Sequence, residues 1–182
     1  MPSASQSFLD ATLETFLYSK KNGDGVLRQL SGPEMTRIVG PDFNSIAVIV
    51  KHMRGNMLSR WTDFLTTDGE KPWRAREEEF AHRRVTRDEL MEKWESGWKV
   101  LLDTLATLTD DDLHAIVHIR NQPLTVHAAL HRSLAHAAYH TGQLVYLGKN
   151  LRGEEWQYMT IPPGRSEEYN RNPTLEKGAR KL

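Results

Sequence analysis

The feature that most constrains this chain is the spacing of its apolar residues, which recur at three and four positions over four long stretches. That is the period of one face of an α-helix. The first stretch runs from about Ser5 to Leu30, with Phe8, Leu9, Leu13, Phe16 and Leu17 on one side, and Ser31-Gly32-Pro33 ends it. The second starts near Pro41 and Asp42, with Asp42 as candidate N-cap, and runs to about Leu65 before Thr67-Asp68-Gly69. The third starts at Thr86, where Glu89 three residues on completes a capping-box pattern, and it carries Leu90, Trp94, Trp98, Leu101, Leu102 and Leu105. The fourth runs from Pro123, a good first-turn residue, to about Asn150. Each stripe must be buried, and four amphipathic helices bury theirs against one another. The expectation is an all-α fold, a four-helix bundle with one long crossover connection. No repeat or linker divides the chain, so one domain is expected over 1–182, with 153–182 a mostly irregular tail holding at most a short final helix.

Two stretches break the pattern. Residues 67–85 are highly charged, with Lys71-Pro72-Trp73-Arg74 and Glu77-Glu78-Glu79, and read first as a solvated surface connection. The second reading is a lid, because long loops in compact domains are often functional. Residues 113–122 alternate weakly and suggest a short extended excursion.

Composition closes off several functions. Lys+Arg and Asp+Glu are both 24, so the net charge is zero and no basic field is available for nucleic acid or an anionic membrane. No apolar run approaches the roughly 18–20 residues that cross a bilayer, and no secretory pattern opens the chain, so a cytoplasmic location is expected. The chain has no cysteine, which removes thiolate ligands, disulfides and a cysteine nucleophile. A transition metal here would need imidazole or carboxylate, and there are eight histidines.

The fourth stretch holds two pairs at the chelating spacing of four, His127/His131 and His136/His140. They fall on nearly opposite margins of its apolar arc, and helical spacing does not choose between them. His114/His118 is a third such pair, near the irregular excursion. His136-Ala137-Ala138-Tyr139-His140 is not a zinc-protease motif, which needs Glu directly after the first histidine. On the second stretch His52 shares a stripe with Ser45, Asn56, Ser59 and Asp63, small polar groups free of Lys and Arg, as the wall of a polar pocket would be. Asn56, one turn after His52, and Gln143, one turn after His140, could orient an imidazole or bind a ligand. Asp63 lies about three turns from His52, roughly 16 Å of helical rise, too far to share an ion with it.

The segment from Ser45 to Phe64, followed by Asp68-Gly69-Glu70-Lys71-Pro72-Trp73, resembles an uncharacterised branch of the DinB-like superfamily. So does Leu134 to Leu144, with its His-x-x-x-His followed by Gly142-Gln143. The resemblance covers roughly residues 5–160. It implies a DinB-like four-helix bundle, often a homodimer, with a divalent metal at one end held by three histidines. Carried over, these are His52, His136 and His140. Thr141 stands where many relatives have a basic residue.

Three neutral imidazoles would leave a divalent ion an open position for water or substrate, the usual arrangement of a catalytic site. Zinc, nickel and iron(II) all tolerate this ligand set. The resemblance further implies a thiol S-transferase, because some DinB-like proteins look like enzymes joining a low-molecular-weight thiol to an electrophile, and a related group isomerises maleylpyruvate with such a thiol. Without cysteine, the thiol must be a cosubstrate. The alternatives are a metal-dependent hydrolase and a non-enzymatic metal-binding or stress-response protein. No catalytic side chain is assigned.

Overall fold

The computed structural model describes residues 4–174. The four expected helices are present as α1 (Ala4–Gln29), α3 (Ile46–Trp61), α5 (Arg87–Leu105) and α6 (Val126–Arg152). Two short helices lie in the connections between them, α2 (Gly32–Thr36) and α4 (Arg76–Phe80), and a third, α7 (Ser166–Arg171), follows α6. One hairpin, β1 (Ile116–Ile119) with β2 (Gln122–Thr125), takes up the extended excursion. The fold is therefore an all-α bundle. Helix α3 packs against α5 and α6, and α1 packs against α6 and α5.

The centre of the bundle is aromatic. Phe16, Trp61, Trp94 and Trp98 are fully buried, with Phe16 edge-on to Trp61 at 5.9 Å and to Trp98 at 6.3 Å. Trp94 keeps its indole N–H satisfied by donating to Asp24 Oδ1 at 2.6 Å, whereas the buried Trp98 indole N–H has no partner among the described residues. Trp156 is buried as well, whereas Trp73 is 56% exposed and lies outside the core.

The caps show where local chemistry sets the boundaries. Thr86 and Glu89 form the expected capping box, with Thr86 N–H donating to Glu89 Oε2 at 2.7 Å and Glu89 N–H to Thr86 Oγ1 at 3.2 Å. Asp42 is not the cap of α3. It sits in a left-handed turn at φ 58°, and Ser45 caps instead, its hydroxyl accepting from Val48 N–H at 3.3 Å. The helix also stops at Trp61, short of Leu65, because Asp63 turns left-handed at φ 49° and its carbonyl takes the N–H groups of Thr66 and Thr67. Pro123 lies in β2 opposite His118, and the N-cap of α6 is Thr125, accepting from Ala128 N–H at 3.1 Å. The tail beyond Gly153 is largely irregular apart from α7. Residues 175–182 lie outside the described residues.

The connection 67–85 is exposed at 72–73, 75–78 and 82–84 but is anchored to the bundle between them. Gly69, Lys71 and Glu79 are buried. The hairpin turns on Arg120 and Asn121, both left-handed at φ 56° and 60°, the pattern of a type I′ turn. Asp68 accepts from both their amides, at 2.9 and 2.7 Å, and Gly69 N–H donates to His118 O at 2.7 Å. On the helix side, Ser59 Oγ donates to Gly69 O at 2.6 Å and Arg60 Nη2 to Glu70 Oε2 at 3.0 Å. Pairing its charges internally lets a charged segment lie against the bundle. These ties direct residues 74–80 back along α3, toward His52.

Candidate metal centre

His52 arrives from the middle of α3, and His136 and His140 from adjacent turns of α6. Their ligand nitrogens all lie within 4.8 Å of one another, and no other such group of His, Asp and Glu occurs among the described residues. His52 Nε2 is 3.2 Å from His136 Nε2. The ring centroids of His52 and His140 are 4.8 Å apart, and those of His136 and His140 4.5 Å. His52 is 8% exposed, and the other two are half-buried.

The second ring of partners fixes which nitrogen faces inward. His52 Nδ1–H donates to Glu79 Oε2 at 2.9 Å, so its Nε2 carries a free lone pair. His140 Nδ1–H donates to Gln143 Oε1 at 2.8 Å, so its Nε2 is free too. Histidine ligands characteristically give their other N–H to a carboxylate or carbonyl in this way. In the metal-free chain, His136 Nε2–H can donate to His52. A cation would replace that shared proton.

Glu79 is itself held. Arg74 Nε donates to Glu79 Oε1 at 2.8 Å and Nη2 to Oε2 at 3.0 Å, a two-point contact to a carboxylate. The Arg74 side chain is only 2% exposed. Burial works to raise the Glu79 pKa, but hydrogen bonds and charge from His52 and Arg74 outweigh it, and the net direction is down. Glu79 therefore stays a carboxylate, with both oxygens engaged. Gly55, one turn before Ser59 on α3, makes room for it: a Cβ at that position would fall 2.0 Å from Glu79 Oε1. Phe80 covers the His52 ring at 5.0 Å between centroids.

Burial, with the charges of His140, His52, Arg74 and Arg60 adding to it, pushes the His136 pKa down to about 3. Burial pushes His140 down as well, against the hydrogen bond it donates to Gln143. Both rings are thus neutral near pH 7, the form in which imidazole binds a metal.

Of the sequence candidates, the structure brings together His52, His136, His140 and Gln143. Asn56 is half-buried one turn along α3, and its side chain makes no hydrogen bond among the described residues. His127 and His131 are on the exposed side of α6, where Phe8 of α1 packs edge-on to them at 4.4 and 5.4 Å. His114 and His118 are separated onto the 3₁₀ turn before the hairpin and onto β1. Sequence reasoning missed Glu79 and Arg74. The available hint was Gly55, since glycine within a helix costs about 1 kcal/mol relative to alanine and marks a close approach.

The model of a family described as "Protein of unknown function (DUF1572)" matches residues 3–165. The chain belongs to this family. The matched span contains all three histidines and both of the partners that orient them. No curated protein matches the chain. Among solved structures, a conserved protein from Enterococcus faecalis is similar at TM-score 0.62 and 17% identity, over 85% of this chain and 100% of that one. At that identity the likeness speaks for the shared fold.

The outer contact to His52 can be tested alone. Glu79→Gln keeps the shape but removes the charge that holds the imidazole. Divalent-metal affinity, measured by competition with a chromogenic chelator, should fall about 10–100-fold, the usual cost of losing such a partner. Unchanged affinity would show that Glu79 serves only Arg74.

Proposed function

We propose that this protein binds one divalent metal ion through His52, His136 and His140, and uses it as a DinB-like thiol S-transferase. The observation that carries the reading is the convergence of three imidazole nitrogens within 4.8 Å, two of them with their second nitrogen already committed. Zinc, nickel and iron(II) all suit the set. When bound, such an ion supplies Lewis acidity, lowering the pKa of a thiol or water at its open position. Around it, Glu79 and Gln143 orient His52 and His140, and Phe80 shields one side.

Transfer is favoured over hydrolysis by the state of Glu79. It is the carboxylate that touches the cluster, and both its oxygens are taken. A hydrolase gains from a free base within hydrogen-bond reach of its metal-bound water, and Glu79 is not free to serve as one. A thiol with a lowered pKa needs none. The cosubstrate thiol loses its proton to solvent, its sulfur bonds to an electrophilic carbon, and the leaving group departs with the bonding pair.

The test is turnover. Protein loaded separately with zinc, nickel or iron(II) is offered several small thiols with a chromogenic electrophile that carries a leaving group. Thiol consumption should require the metal and disappear in His136→Ala. If stoichiometrically loaded protein consumes no thiol, the transferase reading gives way to that of a non-enzymatic metal-binding protein.

A further inference from the structure

The segment from the end of α4 to Val85 has two faces. Glu79 and Phe80 turn toward His52. The residues from Ala81 to Val85 instead line a separate cleft of about 720 Å³, bounded by α2 and the starts of α3 and α5. That volume suits a small-molecule site, roughly 300–1,000 Å³.

Its charge is unbalanced. Lys51, Arg83, Arg84 and Arg87 line the cleft together with His82, and the carboxylate among the lining residues is Glu89. Glu89 is committed to the amide and hydroxyl of Thr86. Lys51 Nζ donates to the backbone carbonyl of Ala81, and Arg87 to the carbonyls of Leu30 and Leu27 at 3.2 and 3.4 Å. Neither of these cations meets a carboxylate. Arg83 pairs with Glu78 at the exposed surface, while Arg84 is exposed and has no partner among the described residues. The whole chain has zero net charge, so the positive charge gathered here is balanced by carboxylates elsewhere on the chain. A concave cleft lined by four cations, one of them paired with Glu78, and by a single carboxylate already engaged by Thr86 still focuses a positive field on counter-charge within it.

We propose that this cleft binds a small organic anion bearing carboxylate or phosphate groups, with Lys51, Arg83 and Arg84 as its charged donors. The occupant is a small molecule rather than a polymer. A nucleic acid would require the positive field to continue beyond the cleft, and over the chain it is cancelled. The site is independent of the metal reading, since none of the three histidines lines it.

Calorimetric titration of the full chain with pyrophosphate and, separately, with citrate tests this at constant ionic strength. At least one anion should bind saturably at one site, and the tighter of the two names the group recognised. Arg84→Glu should weaken that binding about 10-fold or more, the loss expected for one charge-assisted hydrogen bond. Arg84 is exposed and unpaired, so the variant should retain the parent's circular dichroism and melting temperature. Arg132→Glu, an equal charge change on an exposed α6 position away from the cleft, should leave binding intact. Absence of saturable binding by either anion, or equal weakening in both variants, would overturn the proposal.

Discussion

His136→Ala should remove stoichiometric divalent metal from the protein, with affinity falling more than about 100-fold. Losing an outer partner of a ligand typically costs about 10–100-fold, and losing the ligand itself costs more. His136 is central to the cluster. Its Nε2 is the atom 3.2 Å from His52 Nε2, and its ring lies 4.5 Å from that of His140. Without it, one imidazole from α3 and one from α6 remain. Elemental analysis after dialysis reads the stoichiometry, and thermal denaturation gives a second measure. A ligand present at 100 times its Kd stabilises the folded state by about 2.7 kcal/mol, so added metal should raise the melting temperature of the parent and not of the variant. His131→Ala is the control, because His131 packs edge-on against Phe8 at the opposite margin of α6. Equal metal content in His136→Ala and the parent would place the ion elsewhere.

The residues that could be read from sequence and those that could not differ in a physical way. The four long helices were legible because burying a helical stripe demands a 3.6-residue period that the sequence must carry. Thr86 and Glu89 were legible because a capping box is local, complete within four residues. Asp42 misled because it has the right chemistry three residues too early, and the left-handed turn at Asp42 leaves Ser45 to cap. Pro123 misled similarly, since a proline tolerated in a first turn is also tolerated at a hairpin edge. The choice of His136/His140 over His127/His131 could not be made from periodicity, which places both pairs at margins of the same arc. It needed the position of α3, a tertiary fact that only resemblance supplied in advance. Glu79 is the hardest case. It is one of three consecutive glutamates in a charged connection, and nothing local separates it from Glu77 and Glu78, which are exposed. What singles it out is the path of residues 67–74, tied to Ser59 and Arg60 on one side and to the hairpin on the other.

Acidification should destabilise the metal-free protein steeply, beginning near the pKa of free histidine. His136 titrates at 6.5 when unperturbed and is pushed by burial and neighbouring positive charge down to about 3 in the folded chain. Between those values the unfolded chain holds a proton at His136 and the folded chain does not. The unfolded state then binds more protons, so stability is complete above about pH 6.5 and falls as the pH falls, by up to about 1.4 kcal/mol per unit for each such group. His140 is lowered too, chiefly by burial, and acts in the same direction. Glu79 adds to the loss at lower pH: its folded pKa lies below the free value of 4.5, so its stabilisation is present above 4.5 and is lost through the folded pKa. From pH about 6.5 to about 5, the His136 proton alone corresponds to roughly 2 kcal/mol, large beside a typical total of about 5–15 kcal/mol, and His140 adds to the loss. Urea unfolding of chelator-treated protein at several pH values measures the slope. His136→Ala should flatten it by about one proton, because the group that resists charging is gone. Parallel slopes for variant and parent would mean that His136 titrates in the folded chain as it does when free. Added divalent metal competes with protons for the same nitrogens, so the parent's profile should shift to lower pH with metal, and that of His136→Ala should not.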